Sequence, residues 1–141
     1  MRRVFKVIII WVVALSAGIF SVGLSAEQAG AKPDAKVVKN PVAATPQSIS
    51  TGSATFQKYC KFCHGADAKG DGPMAPKDSH PPNLTDDKWE HGSSDAEIFQ
   101  VISEGAPPKF VMKGFKSKMT PAEIWNVVNY LKSLNPKTAP R

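Results

Sequence analysis

The chain has 141 residues, 42% of them hydrophobic, with 18 Lys and Arg against 12 Asp and Glu for a formal charge of +6. Arg2, Arg3 and Lys6 sit in an N-terminal leader, so 18 cations less these three leaves 15 against 12 anions, too slight an excess to argue nucleic-acid binding. The two cysteines stand three positions apart, which excludes a disulfide framework because the ring they would close is too small to staple a fold.

The leader opens with Met1-Arg2-Arg3 and Lys6, then runs uncharged and apolar from Val7 to Leu24, with small residues at Gly23, Ser25 and Ala26. That order makes a secretion signal. The apolar run is 18 residues, longer than a usual signal core and just enough to span a bilayer. Two outcomes therefore stand: a peptidase cuts at the small residues, or residues 1–26 remain as a membrane anchor. In both, the remainder is expected outside the cytoplasm, in the periplasm. Residues 27–45 are rich in Ala, Lys, Pro and Gly and read as a flexible linker. The folded unit is expected over 46–136, followed by a short tail at 137–141. At roughly 90 residues it is small for an unaided core, and a cofactor commonly supplies the missing hydrophobic volume.

Caps and periodicity predict three main helices and no hairpin, an all-α domain. The first runs from Ser48 or Ser50 into Cys60, carrying Gly52, Phe56 and Tyr59. It leads into Cys60-Lys61-Phe62-Cys63-His64, and C-x-x-C-H is the pattern of covalent c-type haem attachment. Each thiol adds to a haem vinyl group, the two-residue gap spans the vinyls, and the adjoining imidazole reaches the iron. A thioredoxin-like dithiol would need a βαβ setting that is missing here. A zinc site would need ligands at finger spacing, whereas His80 and His91 lie too far from the motif and from each other. From His64 to Ser93 the chain is a long loop of Gly, Pro and Asp that something besides its own secondary structure must hold. The second helix starts at the capping box Ser94-x-x-Glu97 and stops at Gly105. Lys109, Lys113, Lys116 and Lys118 then cluster, either as a patch that steers an acidic partner or as a solvated face. The third helix opens at Thr120-Pro121-x-Glu123, presents Ile124, Val127, Val128 and Leu131, and ends near Asn135-Pro136.

With His64 on one side of the iron, the opposite ligand decides between an electron carrier and a reactive site. Met74 lies close behind His64 in sequence. Met119 directly precedes the cap Thr120, where a hydrophobic staple residue belongs. Met112 lies in the loop Pro107-Pro108-Lys109-Phe110-Val111-Met112, which two prolines stiffen, and is the candidate ligand, with His80, His91 or an open position as the alternatives. Trp89 either donates its indole N–H to a haem propionate or plugs the core.

These motifs together resemble the class I c-type cytochromes, small monohaem electron carriers. The resemblance rests on Gly52-x-x-x-Phe56-x-x-x-Cys60, Pro82-Asn83-Leu84, Met112-x-x-Phe115 and Trp125-x-x-x-x-Tyr130-Leu131, in the family's order. It implies a cytochrome c fold around one covalent haem c, with N- and C-terminal helices crossing so that Gly52 and Phe56 face Val127 and Tyr130. It places Pro82 and Leu84 beside the haem, with the Pro82 carbonyl accepting the Nδ1 proton of His64, and His64 and Met112 on the iron. Lys113 stands where the family often has proline after the ligand methionine. The resemblance further implies a monomeric, non-enzymatic periplasmic carrier that docks transiently on a protein donor and acceptor. The alternatives are a membrane-tethered haem subunit of a dehydrogenase or oxidase, and a five-coordinate haem enzyme or gas sensor.

Overall fold

A computed structural model describes residues 38–135 and Lys137. The leader, most of the expected linker and nearly all of the tail lie outside the described residues. Within them the chain forms four helices and no strand: α1 Pro46–Tyr59, α2 Lys61–His64, α3 Asp95–Glu104 and α4 Pro121–Leu134. The all-α expectation holds, and α2 is a one-turn addition that the caps did not announce.

Local chemistry sets the helix starts. Thr120 and Ser94 each accept from the backbone N–H three residues on, while Glu123 and Glu97 reach back to the cap N–H, giving two complete capping boxes. α1 begins before the expected serines because Thr45-Pro46 repeats the Thr120-Pro121 device: Thr45 Oγ1 accepts from Ser48 N–H at 3.1 Å, and proline occupies the first turn. α3 stops at Gly105, whose φ of +101° side chains rarely adopt.

α1 packs across α4, and Gly52 permits it. A Cβ there would meet Asn126 C at 2.5 Å and Tyr130 Cβ at 2.9 Å, and would collide with the Asn126 carbonyl oxygen. Phe56 and Tyr130 rings meet nearby, 5.4 Å between centroids. The core gathers Phe56, Ile98, Ile102, Ile124, Val127, Val128 and Leu131, with Met119 buried beneath the start of α4.

Two segments expected to be irregular are tied down. The long loop is clipped to α2: Met74, Gly72 and Gly70 N–H groups donate in turn to the carbonyls of Phe62, Cys63 and His64 at 2.7, 3.1 and 2.8 Å. A helix end leaves such carbonyls without intrahelical partners, and the loop satisfies them. The last residues of the expected linker are likewise held as a strap on α4. Asn40 Nδ2 donates to Trp125 O and Asn129 Oδ1 (2.9 and 2.8 Å), and Asn40 N–H donates to Asp95 Oδ2 (3.0 Å). Asn129 Nδ2 donates to the Val42 and Ala43 carbonyls and to Ser48 Oγ. A short polar side chain at position 40 suffices for this, which a composition rich in Ala, Lys and Pro conceals.

Candidate haem site

The four helices and the loops between them enclose a cavity of about 460 Å³. α1 supplies Phe56 and Tyr59, with Cys60 at its C-terminal cap. α2 supplies Cys63 and His64, α3 Ile98, Val101 and Ile102, and α4 Val127 and Leu131. Pro82, Leu84, Trp89 and Met112 line it from the loops, so all seven side chains singled out from sequence meet at one cavity. Met74 and Met119 do not line it, whereas His80 and His91 do.

The two cysteines are free and differ in setting. Cys60 is buried, and that burial, helped by the neighbouring Cys63, pushes its thiol up to about 12. Cys63 is half-buried, its Sγ directed at the Met74 carbonyl at 3.6 Å. His64 follows on the same turn, its ring 6.4 Å from that of Phe56, and burial pulls its pKa below the usual imidazole value. Its Nδ1 is buried without a hydrogen-bond partner.

That orphan atom corrects one expectation. Pro82 does not accept from His64 Nδ1: the carbonyls of Pro81 and Pro82 lie over Gly70 instead, the Pro82 oxygen 3.3 Å from where a Cβ would sit. Of the two roles expected for Trp89, the bond found is internal to the loop: it lines the cavity, and its Nε1–H donates to the Asp86 carbonyl at 3.1 Å.

Met112 reaches the cavity from a tight loop. The Met112 carbonyl accepts from Ala106 N–H at 3.0 Å, Phe110 N–H donates to Ala106 O at 2.9 Å, and Lys113 pairs with Gly105 in an isolated antiparallel bridge. The Pro107–Pro108 bond is cis. Gly114 sits so close to the end of α3 that a Cβ would strike the Ser103 and Glu104 backbone. The lysine cluster divides here: Lys109 and Lys113 border the cavity, Lys116 pairs with Glu104, and Lys118 lies over the Phe115 ring.

The donor set fits a covalent haem. Two free thiols and a half-buried imidazole whose Nδ1 is buried without a partner share one turn beside a largely apolar cavity, and a thioether lines the same cavity from a separate loop. Comparison with known proteins gives the same cofactor. A family model described as cytochrome c oxidase, cbb3-type, subunit III matches residues 47–131. The chain belongs to this family. The CcoP subunit of the cbb3-type cytochrome c oxidase of Rubrivivax gelatinosus is 35% identical over 108 residues, covering 72% of this chain and 32% of that protein. The FixP subunit of Bradyrhizobium diazoefficiens is 34% identical over 83 residues, covering 59% and 26%. The chain thus spans about a third or less of the length of these curated relatives.

Among solved structures, a reducing HAO-like protein complex of Kuenenia stuttgartiensis matches with a TM-score of 0.60 and 25% identity, covering 67% of this chain and 47% of that one. Cytochrome cL of Methylophaga aminisulfidivorans matches at 0.51 and 26%, covering 62% and 53%. The fold is that of a c-type cytochrome, and the domain is an electron-transfer module carrying haem c. When bound, the haem supplies a ferric/ferrous couple. What this chain provides is covalent anchorage, an apolar enclosure and fixed orientation.

Proposed function

We propose that the chain is a membrane-tethered haem subunit, facing the periplasm, that hands single electrons to a fixed redox enzyme of the terminal-oxidase class. The match to an oxidase subunit family over residues 47–131 carries this reading, and the relatives' names support it. The 18-residue apolar run from Val7 to Leu24 supplies a segment of the length a tether needs. It lies outside the described residues, among which no helix is long and apolar enough to cross a membrane.

Cys60 and Cys63 would hold the haem through two thioethers, and His64 and Met112 would ligate its iron. A thioether opposite an imidazole raises the reduction potential relative to two imidazoles. With both ligands supplied by the chain, no coordination site would be left for a substrate, and the group would serve electron exchange alone.

Intact mass of the haem-bearing chain, measured separately in membrane and soluble fractions, tests the reading. The tethered subunit is recovered from membranes with residues 1–26 retained. A soluble haem protein beginning near Ala26 or Glu27 makes it a diffusing shuttle. Adding carbon monoxide to the reduced protein checks the axial set: a sealed site leaves the spectrum unmoved, and a large shift means an open iron.

A further inference from the structure

The backbone bonds that hold the Met112 loop run to one partner. Ala106 N–H donates to the Met112 carbonyl, Lys113 pairs with Gly105, and the Phe115 and Lys116 N–H groups donate to the Ile102 and Ser103 carbonyls at 2.9 and 3.2 Å. Each joins the loop to itself or to the C-terminal end of α3. Among the described residues, none reaches the turn that carries Cys60, Cys63 and His64. Nor do the helices close that gap directly. α1 packs on α4 and on α2, and α3 packs on α4, but α1 and α3 do not pack on each other. The attachment turn at the end of α1 and the Met112 loop at the end of α3 are thus joined, as far as helices go, only by way of α4.

A ring contact crosses between them. Tyr59, the residue before Cys60, meets Phe115, three residues after Met112, edge to face with 6.2 Å between centroids and 62° between planes. That tilt sets the positive edge of one ring on the negative face of the other, an arrangement aromatic pairs favour. Both rings line the cavity and both are half-buried. A lysine ammonium lies over each, Lys58 over Tyr59 at 4.8 Å and Lys118 over Phe115 at 5.7 Å, so the pair stands where the cavity meets solvent. A joint movement of the loop and the end of α3 away from the attachment turn breaks none of the hydrogen bonds above, but it must part these rings.

We propose that Tyr59 and Phe115 are a positioning pair, a clasp that holds the Met112 loop to the attachment turn so that thioether and imidazole serve one iron. This rests on the assignment of Met112 as ligand and adds what keeps it in place.

Cyanide binding to the ferric, haem-loaded full chain tests it, because at saturating cyanide the rate is set by how often Met112 leaves the iron. Tyr59→Leu and Phe115→Leu should each speed that step by roughly two- to tenfold, the span that an aromatic pair's coupling covers. The double variant should be no faster than the faster single one, since either change alone removes the contact. Tyr59→Phe keeps the ring and should match the wild type. In both Leu variants the sulfur-to-iron band should fade on warming before the far-ultraviolet helix signal does, because the loop opens without the rest unfolding. Cyanide rates that neither Leu variant alters overturn the clasp. So does a faster rate in which band and helix signal are lost together, which is a general loss of stability. A wild type with no sulfur-to-iron band overturns the Met112 assignment and the clasp with it.

Discussion

Met112 and Met119 stand seven residues apart, yet only Met112 lines the haem cavity. Met119 is 4% exposed and packs in the core directly before the cap Thr120. Truncating each should therefore fail differently. Met112→Ala should abolish a sulfur-to-iron charge-transfer band in the ferric spectrum while the haem stays attached. Met119→Ala should keep that band and lose about 2–4 kcal/mol in denaturant unfolding, the usual cost of emptying a buried methionine site. Swapped outcomes would reassign the ligand. The sequence made these two placements readable because a cap, a C-x-x-C-H motif and a proline-stiffened loop are local signals. It did not show that Pro82 turns its carbonyl toward Gly70 or that Trp89 bonds to Asp86, since carbonyl directions in a loop follow from packing that no short motif encodes.

At the level of elements, the crossing of α1 and α4 depends on one missing methyl group. Gly52→Ala drives a Cβ into the Asn126 backbone, which cannot swing aside as a side-chain tip would. It should cost about 3 kcal/mol, at the upper end of overpacking, read as a lower midpoint in guanidinium with the haem spectrum intact. The strap depends instead on pH. Burial by itself would raise the Asp95 carboxyl, but the Asn40 N–H and the Lys132 ammonium, 2.9 Å away, together with Lys39, hold it below the ordinary range. The folded state thus takes up that proton less readily than the unfolded chain. The strap's contribution is complete above about pH 4 and is lost as pH falls through the lower folded value. The protection factors of the Asn40 and Val42 amides against hydrogen exchange should fall in acid before those of α1 and α4, and Asp95→Asn should remove the acid step. The caps at Ser94 and Thr120 were legible in sequence because each spans three residues. The strap was not, because its hydrogen bonds join residues more than 50 positions apart.

For the whole molecule, the decisive quantity is the cavity. Emptied apolar volume costs about 24 cal/mol per Å³, so 460 Å³ corresponds to at most about 11 kcal/mol, an upper bound because the site opens to solvent. That is comparable with the entire stability of an ordinary domain of this size, about 5–15 kcal/mol. There is no disulfide, the Lys69–Asp67 and Lys116–Glu104 pairs are exposed and weak, and the long loop from Gly65 to Ser93 has no regular secondary structure beneath its turns. The haem is therefore expected to be a structural component as much as a redox centre. Cys60→Ser with Cys63→Ser, which removes both points of attachment, should leave a chain with little far-ultraviolet helix signal and no cooperative thermal transition, where the haem-bearing protein melts sharply. A cooperative melt in the double variant close to that of the haem protein would mean that α1, α3 and α4 hold together unaided, with the cavity a pre-formed vessel and not a gap the cofactor must fill.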